Sequence, residues 1–199
     1  MADLTQSQVG AALKNLGNFR VITAQVIAME GEPDLISGAL LLSLGLRESH
    51  LRNVENEAQT DKGVVQITRL YHAAWLRSQP GCKAGSFTTD PSKSDEWRIA
   101  PGSHTALEDG YVPRFTPAVI YACDMLKDAI YAAPKNLEGE DLIRFAIASY
   151  NAGQGGAKKG LAEGDVDKYT TGKDYSAWVI RHRSLVHRWL RDHPNWKPS

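Results

Sequence analysis

Between Leu35 and Leu46 the chain carries no charge, reading Leu-Ile-Ser-Gly-Ala-Leu-Leu-Leu-Ser-Leu-Gly-Leu, and Arg47-Glu48-Ser49-His50 follows at once. A charge-free run of this length predicts a helix buried on most of its faces. Ser and Gly interrupt it, and it falls short of the about 20 apolar residues that span a bilayer. Pro33 suits the first helical position and Gly45 marks an expected fraying end. Glu48 is then placed where a buried helix leaves the core, facing the negative end of the helix dipole and a partly apolar wall. Both influences disfavour the anion and raise the carboxyl pKa, as a general acid working near neutrality requires. The plainer reading is an exposed Glu that caps a turn, paired with Arg47.

The remaining periodicities predict a mostly helical chain. Thr5 and Gln8 have capping-box spacing, opening a helix through Leu16, and Gly17-Asn18 breaks it. A second helix is expected from about Phe19 to Met29. The stretch from Arg52 to Gly63 is polar and turn-rich, and the β-branched run Val64-Val65-Gln66-Ile67-Thr68 follows. Together they read as a small hairpin or β-excursion beside the end of the central helix. Helix returns from Arg69 to Ser78. Residues 79–114 are rich in Gly, Pro, Ser, Thr and Asp and predict an irregular surface insertion. Thr116-Pro117 signals a helix start, running to about Ala133 and burying Ile120, Met125, Leu126, Ala129 and Ile130. Another helix spans about Glu140 to Tyr150. Asn151-Ala-Gly-Gln-Gly-Gly156 is expected to end it, with a mobile stretch to Gly172. Asp174 is expected to cap a last helix whose apolar face carries Trp178, Val179, Leu185, Val186, Trp189 and Leu190.

Length and composition narrow the classes. The 199 residues suit one domain, 1–199, with a proper core. Hydrophobic residues make up 42% and charged ones 23%, ordinary for a globular protein. Lys and Arg number 23, as do Asp and Glu, so no global field points to nucleic acid or an anionic membrane. The N-terminus shows no basic-then-apolar signal segment, although processing removes such segments. Cys82 and Cys123 are too sparse for a disulfide framework and read as two unpaired thiols, with one bridge between them as the alternative.

Chemistry concentrates after Glu48. Glu55, Glu57 and Asp61 lie in the polar excursion. One buried acid and one solvated carboxylate across a cleft make up the arrangement that cleaves glycosidic bonds. Asp61, in an expected Asp-Lys-Gly turn before the strand, is the best-placed second group. A turn Asp bonding its own backbone is the common alternative, and Glu55 and Glu57 read as solvated loop charges. Of six histidines, His182 and His187 are five apart and share no zinc-binding helix face. His50 and His72 read as hydrogen-bonded structural residues, and no metal or cofactor is expected. Tyr150-Asn151 offers a ring, a hydroxyl and an amide to a sugar, or else a core Tyr and a C-cap Asn. The glycines at 153, 155 and 156 follow no strand and match no phosphate loop.

Four motifs in order carry a resemblance: Gly45-Leu-Arg-Glu-Ser-His50, Asp61-Lys-Gly-Val-Val-Gln-Ile67, Ala146-Ile-Ala-Ser-Tyr-Asn-Ala-Gly-Gln-Gly155 and Asp174-Tyr-Ser176. Over roughly residues 33–190 the chain resembles goose-type lysozyme and the related lytic transglycosylase domains. The resemblance implies an α+β, predominantly helical, lysozyme-like fold with a small β-element beside a buried central helix. It implies cleavage of the β-1,4 bond between N-acetylmuramic acid and N-acetylglucosamine in peptidoglycan. Glu48 takes the general-acid role, and Asp61 matches the first of two aspartates that position or activate water. Gln66, Tyr150, Asn151 and Tyr175 match substrate-side residues, and His72 a histidine shortly after the strand. The family's second aspartate falls on Thr68, and the loop from Glu48 to Gly63 is shorter than in goose-type enzymes. The disulfides of secreted vertebrate members are not reproduced, which points to a bacterial or phage-borne lysin.

The expected activity is an inverting muramidase without cofactor or metal, monomeric, with peptidoglycan glycan strands as partner. A lytic transglycosylase, in which Glu48 acts alone and 1,6-anhydro ends form, is the first alternative. A non-catalytic peptidoglycan-binding or phage structural module is the second.

Overall fold

The computed structural model of the chain describes residues 2–13, 35–52, 61–68, 71–72, 74–75 and 112–193. Among them the fold is predominantly helical, with one antiparallel two-stranded hairpin beside the end of a buried central helix. This is the predominantly helical α+β class, with a small β-element beside a buried central helix, expected from the sequence. The helix expected at 19–29, the polar residues Glu55 and Glu57, most of the 79–114 insertion and Cys82 lie outside the described residues.

Helix α1 covers Gln6–Leu13. Its capping box is closed from both sides: the Thr5 N–H donates to Gln8 Oε1 at 2.8 Å, and the Gln8 N–H to Thr5 Oγ1 at 3.3 Å. The central helix α2 covers Gly38–Ser49. It starts later than Pro33 suggests because Ser37 caps it, accepting from the Leu40 N–H at 3.2 Å. It also runs past Gly45. That glycine sits inside the helix because a Cβ there would stand 2.8 Å from Leu51 Cδ2 and 3.6 Å from the Val64 carbonyl. The end is made instead by His50 and Leu51, with φ of 54° and 60°. Two left-handed residues in a row reverse the chain and return Leu51 to the core, where it is 1% exposed.

Strands β1, Asp61–Lys62, and β2, Ile67–Thr68, pair antiparallel in the register Asp61↔Thr68 and Lys62↔Ile67. Asp61 is therefore a strand residue and not part of a tight turn. The turn is Gly63–Gln66, closed by the Gln66 N–H to the Gly63 carbonyl at 3.2 Å. Val64 and Val65 point into the core from that turn, at 2% and 1% exposure. This explains why their β-branched signal marks burial and not strand.

Helix α3, Val112–Tyr131, begins before the Thr116-Pro117 signal, with Pro113 in its first turn where a missing N–H costs no intrahelical bond. Leu126 and Ala129 are buried and Ile120, Met125 and Ile130 partly so. Helix α4, Gly139–Ala162, continues through the glycine-rich stretch expected to end it. Within that stretch only Gly153 leaves helical geometry, with φ 72° and ψ 159°, so α4 is two helical pieces joined by a kink. Beyond it a short 3₁₀ turn, Thr171–Lys173, leads into α5, Tyr175–Asp192. Trp178, Val179, Val186 and Trp189 are its buried face, with Leu185 and Leu190 packed at the margin.

Helix α2 packs chiefly on α5, α3 on α4, and α4 and α1 on α5. Leu40, Leu44, Leu46, Trp178 and Val186 share the core between them. The buried Ser43 hydroxyl donates to the Val179 carbonyl at 2.6 Å, which removes the cost of a polar group at the centre of that contact. His182 is structural. Stacked on Trp178, it accepts the Leu4 N–H at Nε2 (2.8 Å) and directs Nδ1 to the Trp178 carbonyl (2.8 Å). No helix among the described residues is long and apolar enough to cross a membrane.

Candidate active site

Glu48 sits in the last turn of α2, two residues before the chain reverses at His50 and Leu51. The next residue, Ser49, pins the hairpin to that turn by donating to the Val64 carbonyl at 2.7 Å. The helix end and the hairpin thus form one corner, with Glu48 on one wall and Asp61 on the other. Across from them run Tyr150-Asn151 on α4 and Tyr175 at the first position of α5. A cavity of about 440 Å³ lies between these walls, lined by Glu48, Asp61, Gln66, Thr68, His72, Tyr150, Asn151 and Tyr175 together with Arg47, Ile67, Met125 and Thr171. All seven residues singled out from the sequence border this one cavity.

Four polar wall residues each spend one bonding group on the fold. Tyr150 donates its hydroxyl to the Val65 carbonyl at 2.7 Å, tying α4 to the hairpin turn. Gln66 donates its amide to the Gly63 carbonyl at 2.6 Å and holds a left-handed backbone, φ 48°. Asn151 accepts the Thr171 N–H at Oδ1, 2.7 Å, which makes it a link to the loop before α5 and not a C-cap. His72 shares a 2.9 Å hydrogen bond through Nδ1 with the Tyr121 hydroxyl, and Tyr121 stacks on Trp75 at 4.3 Å. Burial holds the His72 pKa below its ordinary value, so it serves as a neutral hydrogen-bonding ring. The side chains are thereby fixed before any ligand arrives.

Glu48 has the electrostatics of a proton donor. Burial pushes its carboxyl up to about 7, against the hydrogen bond from Tyr175, while the charge of Asp61 pushes it further up and Arg47 opposes. The Tyr175 hydroxyl donates to Glu48 Oε1. Burial and then the neighbouring Glu48 charge hold both Tyr150 and Tyr175 well above the usual phenol range, so both remain protonated donors.

No protein-family model matches the chain, and no curated protein matches it. No group of three or more His, Cys, Asp or Glu among the described residues could hold a metal ion.

The cavity is one end of a longer groove. A second hollow of about 600 Å³ shares the wall formed by Thr68, His72, Met125, Tyr150 and Asn151 and continues past Gly153-Gln154 on one side and Tyr71 and Asp128 on the other. Two supporting residues have roles that the sequence does not mark. Arg47 is 7% exposed and pairs with Asp174, not with Glu48. Asp167, 1% exposed, accepts from the N–H groups of Ser176 and Ala177 and from the Ser176 hydroxyl. The carboxylate that caps α5 is therefore that of Asp167, while Asp174, at the expected cap position, makes no capping bond and turns to Arg47. No local spacing marks either residue, since their partners are distant in sequence.

Proposed function

We propose that the chain is a muramidase that hydrolyses the β-1,4 bond between N-acetylmuramic acid and N-acetylglucosamine in peptidoglycan. The observation that carries the reading is the carboxylate pair in one cavity. Glu48 is raised to about 7 chiefly by burial, and the charge of Asp61 reaches it across the same space. An acid that keeps its proton near neutrality can protonate the glycosidic oxygen, and the second carboxylate can guide water to the anomeric carbon. The open groove running along α4 suits a linear polymer, and the neutral donors on its walls suit acetamido and hydroxyl groups. The motif resemblance to goose-type lysozyme supports the sugar assignment.

Glu48 then acts as general acid and Asp61 handles water, while Gln66, Tyr150, Asn151 and His72 contact the sugars and Tyr175 orients the acid. One observation favours the transglycosylase alternative. Thr68 stands directly opposite Asp61 in the hairpin register, so the position where the family's second aspartate would support water holds a hydroxyl. Mass spectrometry of muropeptides released from purified peptidoglycan separates the readings. Free reducing N-acetylmuramic acid ends support hydrolysis. Products lighter by one water, the 1,6-anhydro form, assign a transglycosylase. Retained binding with no soluble product assigns the non-catalytic module.

A further inference from the structure

Arg47 precedes Glu48 in α2 and reaches into the junction between α2 and α5, where it pairs with Asp174. Its side chain is 5% exposed and its Nη2 donates twice, to Asp174 Oδ1 at 2.9 Å and to the Thr171 carbonyl at 3.1 Å. The guanidinium lies 5.3 Å from the ring centres of both Tyr175 and Trp178. Its Nη1 is buried and meets no hydrogen-bond partner among the described residues. A buried donor without a partner costs stability, so an arginine here is not the most stabilising choice for a helix contact. The loop comes in close enough to require glycine. Gly172 has φ of +81°, and a Cβ on it would stand 3.2 Å from Arg47 Nη2 and 3.0 Å from Asp174 Oδ1.

Arg47 therefore grips the residues immediately before Tyr175, and Tyr175 is the residue that touches Glu48. We infer that Arg47 and Asp174 form a positioning clamp that seats the Tyr175 hydroxyl on Glu48 Oε1 and leaves Oε2 to carry the acid's proton. This deepens the muramidase reading and rests on it for its meaning, but the clamp has its own readout. The charged and titratable groups that bear on Glu48 are Asp61 from β1, Arg47 from its own helix, Tyr175 from α5 and Tyr150 from α4, with His72 on the same cavity wall. Asp174 bears on Glu48 only through Arg47 and Tyr175, which makes it the discriminating position.

The test is a carboxyl-carbon NMR titration of Glu48 in the wild type, Asp174→Asn, Arg47→Lys, Tyr175→Phe and the Asp174→Asn/Tyr175→Phe double variant, run beside turnover of purified peptidoglycan. Lys keeps the charge at 47 but cannot present the planar fork. Asp174→Asn and Arg47→Lys should move the Glu48 midpoint upward by about half a unit, in the same direction as Tyr175→Phe. They should lower kcat about tenfold with KM little changed, as a misaligned acid does. In the Tyr175→Phe background, Asp174→Asn should add nothing to either quantity. An unmoved midpoint in folded Asp174→Asn overturns the clamp, as does an equal shift with and without the tyrosine. Midpoints that move as expected in a protein that cleaves no peptidoglycan uphold the clamp and remove the muramidase reading.

Discussion

The hydroxyl of Tyr175, at the start of the last helix, donates to Oε1 of Glu48, at the end of the central helix. The two residues are 127 apart in the chain. The bond opposes the rise in the Glu48 pKa that burial imposes, because it stabilises the anion. Burial and bond together leave the acid at about 7, where both protonation states are populated near neutrality.

A general acid must be protonated to act, so kcat/KM should fall as pH rises through about 7. Tyr175→Phe removes a bond to the anion and should carry that high-pH limb further up while lowering the maximum rate. Glu48→Gln should keep the fold and lose cleavage by at least about a thousandfold at every pH. A pH-rate profile of each variant on soluble glycan fragments reads both effects. Substantial turnover by Glu48→Gln would remove the acid assignment.

The same carboxyl should make stability depend on pH with the opposite sign from an ordinary acidic residue. Its folded pKa, about 7, lies above the unfolded value near 4.3, so the folded state binds the proton more tightly. The stabilisation is complete below the unfolded value and is lost as pH rises through about 7. Glu48→Gln removes the anion that the folded state disfavours. It should be more stable than the wild type at pH 8 by about 1–2 kcal/mol, allowing for partial solvent access, and the two should converge near pH 4. Urea unfolding at the two pH values measures it. A Gln variant no more stable at pH 8 would mean that solvent screens Glu48 in the folded state.

Much of this corner is legible in the sequence because it rests on local patterns. The charge-free run marks α2, the carboxylate after it marks where the helix leaves the core, and the Thr5-Gln8 box marks α1. Other features depend on long-range packing and leave no local trace. The glycine-rich stretch after Asn151 looks like a helix terminator, yet only Gly153 leaves helical geometry. At Gly160 a Cβ would stand 2.6 Å from the Asp165 carbonyl, so that glycine serves the approach of the following loop to a helix that continues. Asp174 has the sequence position of a cap, but Arg47 takes its carboxylate and Asp167 supplies the cap from an earlier loop. No spacing relates Tyr175 to Glu48, 127 residues away, so their contact leaves no trace in the sequence.

Asp167 should prove a structural linchpin of α5. Burial alone would push its carboxyl up, but the N–H groups of Ser176 and Ala177, the Ser176 hydroxyl and Arg144 outweigh it and hold the group below the usual carboxylate range. A depressed folded pKa adds stability above the unfolded value near 3.9, and that stability is lost as pH falls through the lower folded value. Asp167→Ala leaves those N–H groups without an acceptor and should cost about 2–4 kcal/mol at pH 7. The gap between wild type and variant should narrow below pH 4. Thermal unfolding across that range checks both statements, and a constant gap would mean that the charge of Asp167 contributes nothing.

The hairpin register allows the water-handling role to be moved by one cross-strand step. Asp61 and Thr68 face each other in the ladder, and both border the cavity. Directly opposed residues have Cβ atoms about 5 Å apart, so a carboxylate at either position reaches much the same volume. Asp61→Asn should lower hydrolysis about a hundredfold or more if Asp61 guides water. Thr68→Asp in that background should restore a measurable part of it, and Thr68→Asp alone should raise the yield of reducing ends relative to 1,6-anhydro ends. The added charge should also carry the high-pH limb of Glu48 upward, since a second anion near the acid disfavours its ionisation. Muropeptide mass spectrometry of the three variants reads the product ratio directly. If Asp61→Asn leaves the rate unchanged and the products are anhydro throughout, Glu48 works without a water-handling partner and the chain is a transglycosylase.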